Sequence, residues 1–195
     1  MGGQSTAEFA LAVPIFLLLL FGTFEVGALL KTHAAYQEAT IAAARVGAAA
    51  GPDPKADGQI LGEFQSMLPA ENLTSIGSVT VYDATASSAF YTPPIEALPS
   101  GCAGAGPAPC AYDNAHTTYV YDPSSKQFVC AATRQPPPCR SGSYWDPTTR
   151  DTTAGKLDHI GITVSYTYTS TSGVLPVLHV MQGSTAVMEP LTYGQ

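Results

Sequence analysis

Charge is scarce in this chain. Only 8 of its 195 residues are Lys or Arg, against 15 Asp or Glu, and no basic residue precedes Lys31. An acidic chain so poor in cations has no basic footprint for nucleic acid. Cysteine is missing before Cys102, and the motifs that carry common chemistries are missing throughout. There is no G-x-S-x-G elbow, no P-loop, no G-x-G-x-x-G and no H-E-x-x-H. The four histidines (His33, His116, His159, His179) are scattered, with no pair at i, i+4 to hold a metal. Asp113 and His116 in YDNAH read as a solvated loop, and DPTTRD, with Asp146 and Asp151, lacks the Gly and terminal Glu of an EF-hand loop. No residue set supports catalysis, a metal or a cofactor, so the expectation is a protein that is not an enzyme.

What the chain does have is one long apolar run, Phe9 to Leu30, 22 residues in all. At about 1.5 Å per residue it matches the roughly 30 Å hydrocarbon core of a bilayer. Two acids mark it. Glu8 stands at its threshold and Glu25 lies inside it, although a carboxylate at membrane depth is costly and usually paired or functional. Ser5-x-x-Glu8 also fits a capping box. The run passes directly into KTHAAYQEATIAAARVGAAAG, Ala-rich and free of proline until Pro52. Alanine is the best helix former and Gly51-Pro52 a stop signal, so one helix is expected from about Ser5 to Ala50. Ala35, Ala39, Ala43, Gly47 and Gly51 recur every four residues along it, with Thr23 and Gly27 in the same row upstream. Such a row either lets helix backbones approach closely or reflects the abundance of alanine in helices.

Beyond the helix, Ile60, Leu61, Phe64, Met67 and Leu68 fall at helical spacing, predicting a short amphipathic helix near 57–68. Alternation predicts strands near 78–83, 160–169 and 184–189. TTYVYDPSSKQFVC predicts a hairpin over 119–130, set apart within a Pro/Gly/Ser/Thr-rich insertion at about 85–155. GVLPVLHVM reads either as core packing or as a patch touching the membrane or a partner. Cys102, Cys110, Cys130 and Cys139 all lie in the insertion. An even number of close cysteines after a membrane segment points to disulfides and an oxidising compartment. Their spacings miss the usual zinc pattern. Of three possible connectivities, local pairing of Cys102 with Cys110 and of Cys130 with Cys139 is the one expected here.

The N-terminus carries a resemblance. Gly3, then Gln4-Ser5-Thr6-Ala7-Glu8, then the apolar helix, resembles the class III signal of type IV pilins, cut after the Gly with a Glu fifth after the cut. GQSTAEFALAVPIFLLLLFGTFEVGALL, with Glu25 and the Ala-rich helix that follows, looks like the TadE-like family, the pilin-like proteins (pseudopilins) of tight-adherence pilus systems. The closing ITVSYTYTSTSGVLPVL and STAVMEP look similar to the way such chains end. The resemblance is specific over about the first 50 residues, looser over the last 35, and does not reach the cysteine-bearing middle. Family leaders carry basic residues before the cut, which hold that end in the cytoplasm. None is present here, so orientation is expected to come from residues upstream of Met1 or from other signals.

The resemblance implies an α+β fold, a long transmembrane helix continuing into a pilin-like antiparallel-sheet domain. Residues 1–3 would be a short leader, 4–50 the transmembrane and assembly helix, and 51–195 an extracytoplasmic domain. It implies processing at Gly3 and Gln4, assembly through Glu8 and Glu25, and partners in prepilin peptidase, other pilin-like subunits, the inner-membrane assembly platform and the membrane itself. The chain would then be a minor pilin or pseudopilin, carried in the membrane or in a surface pilus. The alternatives are a single-pass tether displaying a binding or adhesion module that never assembles, and an anchored extracytoplasmic enzyme.

Overall fold

The computed structural model describes residues 8–85, 116–139, 144–154, 156–170, 172–173 and 175–188, together with the backbone of residues 3–7. A single helix, α1, runs from Gly3 to Ala50. Its composition explains its length, since nothing after Pro14 interrupts a sequence of leucine, phenylalanine and alanine. It stops at Gly51, whose φ of 57° is the left-handed turn that glycine adopts without a Cβ clash. α1 begins at Gly3, two residues before the expected start at Ser5. The expected capping box rests on the side chain of Ser5, which lies outside the described residues.

Two short helices follow, α2 (Ala56–Ser66) and α3 (Ala70–Leu73). The expected amphipathic helix is α2, which buries Ile60, Leu61 and Phe64. Among the described residues five strands come next: β1 (Ile76–Asp83), β2 (His116–Asp122), β3 (Gln127–Cys130), β4 (His159–Tyr168) and β5 (Leu178–Val187). They form one antiparallel sheet in the order β3-β2-β1-β4-β5. A 3-10 turn at Pro147–Thr149 is capped by Asp146, which accepts from the Thr148 N–H.

Alternation places one face of this sheet against α1 and α2. On β4, Ile160, Ile162, Val164, Tyr166 and Tyr168 are all buried, as the period-two pattern requires, and Val79 and Val81 of β1 lie beside them. Tyr36, Ala39 and Ala43 of α1 complete the core with Ile60 and Phe64 of α2.

Two expectations are corrected. The 119–130 hairpin is not set apart: β2 pairs with β1 in the register Val79↔Tyr119, and β3 forms the sheet edge. The reason is that β1 would otherwise present an open edge, while Tyr119 and Phe128 bring apolar surface to the same core. The last strand begins at Leu178, well before residue 184, pairing with Tyr168 as soon as the chain has passed Pro176. Proline cannot donate to a ladder, but the residues after it can. Glu189, the expected end of that strand, lies outside the described residues.

Candidate functional site

The functional surface begins with the two unlike halves of α1. From Phe9 to Phe24 its large apolar side chains stand exposed on every side: Phe9 is 70 % exposed, Phe24 71 %, and Ile15, Phe16 and Leu19 more than half. This segment is long and apolar enough to cross a membrane. Thr23 fits such surroundings, because its hydroxyl donates back to the Leu19 carbonyl at 2.8 Å and leaves no polar hydrogen unsatisfied. From Glu25 onward one face turns inward, and by Tyr36 and Ala39 exposure has fallen to zero.

Glu25 marks the change. It is only 5 % exposed, and its carboxylate is held by the domain. The Tyr168 hydroxyl, at the end of β4, donates to Oε1 at 3.0 Å, and the Ser172 N–H lies 3.3 Å from Oε2. A carboxylate inside an apolar run thus receives donors from residues nearly 150 positions later, which is how a buried charge becomes tolerable.

Above this junction the domain grips α1 through polar contacts set in an apolar seam. Tyr36 stacks on Tyr166 with ring centroids 3.9 Å apart. The Tyr36 hydroxyl donates to the Asn72 carbonyl at 2.7 Å and meets Ser75 Oγ at 2.8 Å. Burial raises the Tyr36 hydroxyl pKa, and the Ser75 bond partly offsets that. Burial and the neighbouring Tyr36 push Tyr166 up as well. Gln182 of β5 is oriented by its partners. Its Oε1 accepts from the Gln37 N–H at 2.9 Å and its Nε2 donates to the His33 carbonyl at 3.2 Å, so the amide lies between two groups that a helix joins directly.

The row of small residues explains the close fit. Ala39, Ala43 and Gly47 are buried, and a Cβ on Gly47 would lie 2.6 Å from Ile160 Cδ1 and 2.9 Å from Ile60 Cδ1. Along this stretch the row admits the chain's own sheet and second helix. Gly27, lower on α1, has no atom of the described residues within 4 Å of such a Cβ.

At the far end of the domain a buried ion pair joins Asp57 of α2 to Arg150, with side chains 1 % and 0 % exposed. Tyr119 of β2 donates to the other Asp57 oxygen at 2.5 Å. Burial first, and the Asp57 carboxylate next, hold the Tyr119 pKa above the usual tyrosine range. Arg150 also lies over the Trp145 ring at 4.4 Å, while its Nε and Nη1 have no hydrogen-bond partner among the described residues. Nearby, Cys130 and Cys139 form a disulfide, as expected for that pair. Cys102 and Cys110 lie outside the described residues, as does Asp113.

Of the expected site residues, Gly3 and Gln4 open α1, Glu8 is an exposed residue on its bare half, and Glu25 sits at the base of the domain. The structure brings none of these three places together. Sequence reasoning missed the Asp57–Arg150–Tyr119 cluster and the Gln182 contact. The only local sign of the first was an arginine between two aspartates in DPTTRD.

A bare apolar half-helix continuing into the spine of an antiparallel sheet defines an α+β protein built on one long helix. Residues 3–45 match the family model described as TadE-like protein, which agrees with the resemblance in the N-terminal motif. That match associates the chain with tight-adherence pilus systems, through a family that is structural and pilus-related. No curated protein and no solved structure matches the chain.

Proposed function

We propose that the chain is a membrane-anchored minor pilin or pseudopilin of a tight-adherence pilus system. It is cut after Gly3 by a prepilin peptidase and assembles through the bare half of α1, contributing to pilus biogenesis and surface adhesion. The observation that carries this reading is the division of α1 at Glu25, apolar and exposed before it, packed under a sheet after it. A helix that only supported its domain would have no use for sixteen bare residues. A helix that lies first in lipid and then among neighbouring helices needs them, because van der Waals packing holds helices together there. The Cys130–Cys139 bond supports an extracytoplasmic place for the domain.

N-terminal sequencing of the purified protein tests the proposal. A start at Gln4 is expected. Retention of Met1 would favour a tether that never assembles. A start near Ala34-Ala35 would mean an ordinary secreted domain, cut out of the middle of α1.

A further inference from the structure

We propose that the β4–β5 connection is a membrane-contacting foot, with Leu175, Pro176 and Val177 resting in the interfacial layer of the bilayer that α1 spans. The inference rests on the spanning role proposed above and adds to it a depth for the domain.

The argument is one of length. The apolar run from Phe9 to Leu30 is about 33 Å long as a helix, close to a hydrocarbon core plus its margin. The domain, however, begins at Glu25, where Tyr168 and Ser172 close on the helix. Only Phe9–Phe24, about 24 Å, is clear of it. Val26 and Leu30 lie beyond that level and are still 47 % and 59 % exposed. If the bilayer covers them, it also reaches the base of the domain, which overlaps the run by six residues, or about 9 Å.

What stands at that base suits the position. From Thr167 to Leu178 the chain has no charged residue. Pro176 is exposed, Val177 is 55 % exposed and Leu175 is half-buried. Tyr168 is buried, with its hydroxyl satisfied by Glu25, so it leaves no open polar hydrogen at the base. No ion has to be desolvated for the foot to enter the headgroup layer. The depth is set by the chain's own helix, so lipid meets the foot in every copy, before any partner arrives. That favours a lipid surface over a second chain as its occupant.

The test uses the full chain in vesicles of phosphatidylcholine and phosphatidylglycerol with brominated acyl chains, which quench nearby indoles. Trp145, the one native tryptophan, sits far from the foot, stacked on Arg150 near where Thr152 meets Gly51 at the other end of α1. It serves as an unquenched reference. In Val177→Trp, the added emission should be blue-shifted and lose more than half its intensity. Phe16→Trp reports on the spanning helix and should be quenched as strongly or more. Quenching at 16 but not at 177 would overturn the foot and leave the spanning helix standing. Quenching at neither would remove both. Protection at 177 that appears only as the protein-to-lipid ratio rises would assign the surface to a second copy and overturn the lipid assignment.

Discussion

Tyr168 and Glu25 meet at 3.0 Å, hydroxyl to carboxylate, across 143 residues of sequence, and this contact fixes where the domain ends and the bare helix begins. Donors on β4 and just after it satisfy an acid that the apolar run alone would leave stranded. Removing one donor should loosen the base of the domain first. Tyr168→Phe keeps the ring and is expected to weaken the docked state by about 1.5 kcal/mol, the low end for a hydrogen bond to a charged group. Hydrogen exchange in detergent should show the loss at the end of β4 and the start of β5, with α2 unaffected. Uniform loss of protection would show that the contact carries global stability instead.

The opposite end of the domain depends on a different kind of contact. Asp57 and Arg150 are both buried, and removal of either leaves an uncompensated charge. Asp57→Asn is expected to destabilise by about 3 kcal/mol or more, whereas replacing both partners with apolar residues of similar size should cost far less. A double-mutant cycle in urea measures the difference. Additive losses would show that the pair is not coupled.

These two contacts also show where sequence reading reaches its limit. The pattern on β4 was legible because α1 covers one face of it, and a one-residue slip would turn Ile160, Ile162 and Val164 to the other face. The hairpin was legible as a hairpin, since its turn and alternation are local. Its place beside β1 was not, because strand pairing is a non-local choice that composition does not encode. β5 was cut short because Pro176 interrupts the apolar stretch, and Gln182-Gly183-Ser184-Thr185 reads as polar although Gln182 is buried on α1. Asp57 and Arg150 stand 93 residues apart, and the aspartates flanking Arg150 in DPTTRD do not point to Asp57. The apolar helix and its framing acids were legible in full, but the partners of Glu25 were not.

The small-residue row divides into two parts that substitution can separate. Gly47→Ala inserts a methyl group where Ile160 and Ile60 already press, and overpacking of this kind is expected to cost about 1–3 kcal/mol. Gly27→Ala meets no atom of the described residues within 4 Å and removes a poor helix former, so α1 should gain up to about 1 kcal/mol of intrinsic preference. Thermal unfolding in detergent should therefore fall for the first variant and hold or rise for the second. Should Gly27→Ala fold normally yet fail to enter a fibre or membrane complex, position 27 would be a helix–helix contact between subunits. Normal assembly would confine the row's role to the chain's own packing.

Glu8 offers the sharpest test, because its surroundings differ from those of Glu25. It is an exposed residue of the bare half of α1, remote from the domain. A capping box with Ser5 is the local alternative for it. A cut after Gly3 changes the electrostatics, because the new amino group on Gln4 would be a positive charge about 6 Å along the axis from Glu8. Each processed helix would then carry one cation and one anion near its tip. In a bundle with little water a carboxylate is best held by a cation, so the Glu8 of one subunit should pair with the amine of a neighbour, and that pairing would set axial register between helices. Glu8→Gln keeps the side chain's size and hydrogen-bonding capacity and removes only the charge. The variant is expected to insert and to be cut at Gln4, as N-terminal sequencing would show, yet to be missing from sheared surface fibres and from cross-linked membrane complexes. Glu25→Gln should behave differently, unseating the base of the domain through its contacts with Tyr168 and Ser172 and showing this by hydrogen exchange in the isolated chain. If Glu8→Gln assembled at the normal level, the charge at position 8 would have no part in register, and the helix surface alone would have to align the subunits.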